Sequence, residues 1–141
     1  MKFKLLTFLI LVIFAGCSKN VPLSGKVLDE DGNPITVGTV FFSSEQGLSR
    51  ARIQSDGSYA VGTLKDTDGL PPGKYKIYVT GAEVGLAPTG PPLVDSMGQE
   101  IPPMGGARKL VATKYTTEAN TPLILDVPVK GNQYDVRVEK P

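Results

Sequence analysis

The chain has 141 residues, with 15 Lys and Arg against 14 Asp and Glu, a formal net charge of +1, one Cys, no His and no Trp. That inventory excludes a Ser-His-Asp triad, a His general base, the commonest metal ligand and an intrachain disulfide, and the near-neutral charge offers no basic stripe for a nucleic acid. Sixteen Gly and 12 Pro, many Val, Thr and Tyr, and no apolar residues recurring at helical spacing point to an all-β domain.

The first element is a targeting segment. Lys2 and Lys4 precede an apolar run from Leu5 to Phe14, interrupted only by Thr7. Crossing a bilayer of ~30 Å takes about 20 residues, so the run reads as a secretory signal peptide and not as a mature span. Ala15, Gly16 and Cys17 then resemble the bacterial lipobox, with Phe14 in place of the usual aliphatic residue. The resemblance implies cleavage between Gly16 and Cys17. Residues 1–16 are then the signal peptide, Cys17 carries a diacylglycerol and an amide-linked fatty acid such as palmitate, and residues 17–22 form a short tether to membrane lipid. Burial of about 0.8 kcal/mol per CH₂ makes several acyl chains a firm anchor. The competing reading of Cys17 is a free thiol, which in an exported chain invites mispairing. By analogy with lipoprotein sorting, Ser18 in place of Asp implies the outer membrane of the cell envelope before the inner one.

Discarding the first 16 of the 141 residues leaves 125, enough for one domain over residues 23–141. Removing Lys2 and Lys4 from the 15 basic residues leaves 13 against 14 acidic ones. Leu23, Gly25 and Val27 share one face of a predicted strand, ended by the turn-forming run from Asp29 to Pro34. In VGTVFFSS, Val40 and Phe42 share one face and Val37, Thr39 and Phe41 the other, as in a strand packed on both sides or near an edge. LSRARIQSDGSYAV is predicted as a hairpin turning at Asp56 and Gly57. LPPGKYKIYV gives a turn and a strand with Tyr75, Ile77 and Val79 inward and Lys74, Lys76 and Tyr78 outward. A second hairpin is predicted near the end: Leu123 to Val129 alternate, Gly131 and Asn132 turn, and Tyr134, Val136 and Val138 alternate back. Pro128 marks an edge or a bulge. About seven such strands bury their shared faces as two packed sheets, an all-β sandwich.

At these residues the chain resembles the carboxypeptidase regulatory-like domain, a transthyretin-like β-sandwich of the immunoglobulin-like class. The resemblance runs from about Leu23 to Thr80. It rests on Gly25 and Val27, Asp31 to Ile35, Asp56 to Tyr59, and Leu70 to Gly73 before Tyr75. The segments around Lys114-Tyr115 and Asn132 to Asp135 are similar to the end of short bacterial lipoproteins carrying this domain alone. The resemblance implies the fold and little about activity, since one fold hosts many roles.

Residues 81–113 form a Gly/Pro-rich loop, longer than a structureless connection normally is. Two readings stand: a binding arm with Pro91-Pro92 and Pro102-Pro103 extended, or a surface connection crossing between sheets. Ala107 to Thr113 is predicted to add one further short strand.

Candidate chemistry is sparse. No Gly-rich phosphate loop or nucleophile elbow appears. Asp29, Asp31 and Asn33 have the alternate spacing of a calcium loop, yet Pro34 replaces the required Gly and Val40 cannot ligate at the twelfth position. No catalytic, cofactor or metal residue is expected, and the chain is not expected to be an enzyme. Tyr59, Tyr75 and Tyr134 are assigned to the core, leaving Tyr78 and Tyr115 as the possible exposed ring platform of a surface carbohydrate-binding module. Arg50 and Arg52, with Lys74 and Lys76, either meet a carboxylated polymer or are the solvated side of a sheet. The first of the two functions is a non-enzymatic, lipid-anchored envelope protein making structural or protein–protein contacts. The second is the carbohydrate module.

Overall fold

The computed structural model describes residues 19–62, 68–101 and 105–141; the signal segment, Gly16 and Cys17 lie outside them. Alternation of period two builds β1 (Leu23–Leu28), β2 (Thr39–Ser44), β3 (Gly47–Arg52), β4 (Ser58–Val61) and the eight-residue β5 (Gly73–Thr80). The loop region contributes β6 (Glu83–Gly85), β7 (Leu93–Val94), β8 (Glu100–Ile101) and β9 (Ala107–Lys109). The chain closes with β10 (Ile124–Val127) and β11 (Val136–Arg137). Seven of these form an all-β sandwich: a three-stranded sheet in the order β11-β1-β4 faces a four-stranded sheet in the order β10-β5-β2-β3.

One apolar core lies between the sheets. From the first come Leu23, Val27, Tyr59, Val61 and Val136, and from the second Val40, Phe42, Ile77, Val79 and Leu125, all buried. The rings of Phe42 and Tyr59 meet at 5.8 Å between centroids, so the two inner faces interdigitate. Tyr59 and Tyr75 lie in this core as expected, whereas Tyr134 is only partly buried against it.

The pairing keeps the first predicted hairpin in part and corrects the second. The Asp56-Gly57 turn exists, closed by Gln54 N–H donating to Ser58 O at 2.8 Å, with Gly57 at φ 81°. Beyond the turn Arg50 bridges Gly62 antiparallel, so the two arms still face each other as predicted, while β3 takes β2 and β4 takes β1 as main partner, Gly25 opposite Tyr59. Likewise Gly131 and Asn132 turn with positive φ, but β10 pairs antiparallel with β5 and β11 runs parallel to β1. Alternation specifies which face of a strand is apolar; it does not specify which sheet receives that face. Pro128 follows directly on β10, an edge strand, as its missing N–H requires.

The strands give the sandwich two distinct ends. Val21 pairs with Leu70 just before β1, so the amino-terminal segment enters beside the start of β5. At the other end, Thr80 closes β5 opposite Thr39, and β6 leaves immediately to pair with β9. Eight residues at about 3.3 Å each separate these ends by about 26 Å. The carboxyl terminus also lies at the far end, where Pro141 and Lys140 adjoin Val84 and Arg108.

Candidate interaction surfaces

Residues 81–113 are not a bare connection. β6 and β9 form a two-stranded ribbon with Glu83 opposite Lys109, and β7 and β8 form a second with Leu93 opposite Ile101. The predicted strand after Ala107 is thus present but short. The turn between β7 and β8 repeats a design used twice elsewhere. Asp95 N–H donates to Gln99 O, Gly98 N–H donates to Asp95 O, Gly98 takes φ 79°, and Asp95 Oδ1 accepts from Met97 and Gln99 N–H at 2.8 Å each. Asp29 and Gly32 do the same in DEDGN, and Gln54 and Gly57 share its backbone pattern in QSDGS. A turn whose fourth residue takes positive φ matches the twist of the flanking strands. The spacing of Asp95, Gly98 and Gln99 in DSMGQ was the sequence signal for this arm.

The arm is apolar and open to solvent. Leu86, Leu93, Val94, Met97 and Ile101 are exposed, Met97 at 86%. Between Val84 and Ala107 the sequence carries two charged residues, Asp95 and Glu100, both acidic. Scattered surface apolar residues are ordinary, but five within one arm make it a candidate contact surface.

A second surface is the outer face of the four-stranded sheet. Register sets Arg50, Phe41 and Tyr78 in one cross-strand row, and Leu48, Ser43, Lys76 and Ile124 in the next. Phe41 and Tyr78 stack at 5.0 Å with planes 4° apart. Arg50, Arg52, Lys74 and Lys76 are exposed and join none of the ion pairs found among the described residues. A groove of about 430 Å³, lined by Ser43, Gln46, Lys74, Lys76, Glu118 and Ile124, crosses one part of this face.

The expected ring platform does not assemble. Tyr115 is buried, its hydroxyl donating to Glu139 Oε1 at 3.0 Å while Lys114 Nζ sits 5.0 Å from its ring centroid and 2.7 Å from the same carboxylate. Tyr78 spends one ring face on Phe41. Sugar stacking requires an open ring face, and these two tyrosines do not form a shared exposed pair.

The acidic turn already has its cation. Asp29 is nearly buried, and its carboxylate accepts from Asp31 N–H, Asn33 N–H and Asn33 Nδ2, with Lys140 Nζ 3.5 Å away and also on Asp31. Burial pushes the Asp29 carboxyl up, but the Asn33 and Asp31 hydrogen bonds and the Lys140 charge outweigh it and hold the pKa below its ordinary value. A lowered native pKa contributes stability above the unfolded value near 3.8, and that contribution is lost as pH falls through the native value. Asp29→Asn is therefore expected to melt below the parent at neutral pH, with the gap narrowing as the pH falls below the ordinary carboxyl value of 3.8. Melting curves at several pH values check this, and a gap that stays constant contradicts it.

No family model matches the chain, and no curated protein matches it. Among solved structures, the major pilin subunit of Bacillus cereus is similar over 86% of this chain and 30% of its own, with a TM-score of 0.45 and 11% identity. The chain spans less than a third of that pilin's length. At this level of similarity the pilin says nothing of what this chain binds or builds.

Proposed function

We propose that the chain is a non-enzymatic, lipid-anchored protein of the cell envelope. In this reading it carries a carboxypeptidase regulatory-like sandwich that acts as a spacer, and its arm meets a protein partner. The observation that carries this is the placement of the two ends: the segment after Cys17 enters beside Leu70, and the apolar arm leaves beside Thr80, at the other end of β5. Acyl chains on Cys17 would hold the near end against a bilayer, since the few residues to Val21 span at most about 14 Å. The arm then faces away from that membrane. Its exposed apolar residues favour a protein partner, and the buried Tyr115 and the stacked Tyr78 give the carbohydrate reading no ring pair.

Cys17→Ser tests the anchor. Wild-type protein expressed in a lipoprotein-processing bacterium is expected in the detergent phase of a Triton X-114 partition, and the variant largely in the aqueous phase. Intact mass of the wild type should show residues 1–16 removed and Cys17 acylated. An unmodified amino terminus in the native protein overturns the proposal.

A further inference from the structure

Building on the reading of the arm as a contact element, we propose that its partner is a second copy of this chain: the arm of one molecule lies across the outer face of the four-stranded sheet of the other. Both surfaces offer exposed apolar side chains, and the exposed cations of one meet the carboxylates of the other. The part of the arm beyond the β6–β9 ribbon presents exposed Leu93, Val94, Met97 and Ile101, and its only charges are the acidic Asp95 and Glu100. The face presents Arg50, Arg52, Lys74 and Lys76, in no ion pair among the described residues, against the acidic Asp126 opposite Lys74 and Glu118 at the groove, and two exposed apolar residues, Leu48 and Ile124, in one cross-strand row. Burying apolar surface on both sides while pairing opposite charge at the margin is the arrangement that drives and orients association.

Geometry permits it. Ser43, small and central in the row Leu48-Ser43-Lys76-Ile124, leaves the groove of about 430 Å³ into which a Met or Leu side chain can settle. Between Glu83 and Asp95 about a dozen residues of chain reach at most about 40 Å, longer than the face of about 26 Å they would cross. The molecule's own arm leaves this face uncovered, because all four cations remain exposed. Two copies held by their near ends on one membrane stand side by side with strands aligned, and reciprocal exchange of arms closes the contact as a two-fold pair.

The chain has a single native Cys, which suits a disulfide trap. Two differently tagged full-length copies are co-expressed, one carrying Met97→Cys and the other Leu48→Cys. Mild oxidation of membranes is expected to link the two tags at about tenfold the yield of either variant with wild type, or of Met97→Cys with Lys130→Cys at the near end. Adding Arg50→Glu and Arg52→Glu to the Leu48→Cys copy should lower the yield about tenfold, and Glu100→Arg on the other copy should restore much of it. Yields no higher than the controls, or indifferent to the charge reversals, overturn self-docking. So does a face that retains an acidic polysaccharide but gives no link. Cross-linking of Met97→Cys to a different envelope protein overturns self-docking and leaves the arm a contact element. Detergent partition of the same membranes reports the anchor separately.

Discussion

Gly25→Ala is expected to lower the free energy of unfolding by about 3 kcal/mol, seen as a lower urea midpoint at unchanged slope. A Cβ on Gly25 would stand 1.8 Å from the carbonyl oxygen of Tyr134 and 2.6 Å from its carbon. Both are backbone atoms, so no rotamer change relieves the clash. The segment before β11 approaches this closely because Tyr134 N–H donates to Ser24 O at 2.9 Å and Gln133 bridges Ser24. Alanine would force it off β1 and disturb the pairing of Val27 with Val136. Gly32→Ala is the control: Gly32 has φ 85°, but nothing lies within 4 Å of its added Cβ, so only the local backbone cost of about 1 kcal/mol is expected. Equal losses for the two variants would show that the close approach at Gly25 is wrong.

Tyr59→Ala should cost about 3–5 kcal/mol, and Tyr59→Phe about 1–2 kcal/mol. Tyr59 is 2% exposed, its ring packs on Phe42, and its hydroxyl donates to Tyr134 O at 2.5 Å. Burial, with lesser contributions from Tyr134 and Asp135, pushes the phenol well above its ordinary pKa, which keeps it a hydrogen-bond donor. The alanine variant loses ring packing between the sheets, whereas the phenylalanine variant loses only the donor to the carbonyl beside Gly25. Denaturation of both separates the two contributions. A phenylalanine variant as damaged as the alanine one would assign the ring no packing role.

Gly25, Tyr59 and Tyr134 form one unit in space, with Gly25 opposite Tyr59 in register and Tyr134 bonded to both strands. In the sequence they are three separate signals: a glycine in a strand, an aromatic after a turn, and an aromatic after another turn. The alternation of β1, β2 and β5, the turns at Asp29, Asp56 and Gly131, and the two-sheet architecture were determined by the sequence alone. Period-two alternation and positive-φ glycines are local properties, expressed within a few residues of chain.

Only tertiary structure decided that β4 takes β1 as its main partner and that β11 leaves β10 for the same sheet, because strand pairing is long-range and alternation is blind to the partner. The same limit applies to the surfaces. Tyr115 has the composition of an exposed ring, yet Glu139, distant in sequence, satisfies its hydroxyl and lets the core take it. Leu93, Val94 and Met97 have the composition of a core, and among the described residues no second layer of structure covers them. Whether an apolar residue is buried depends on what packs against it, and packing is set by segments far apart in the chain.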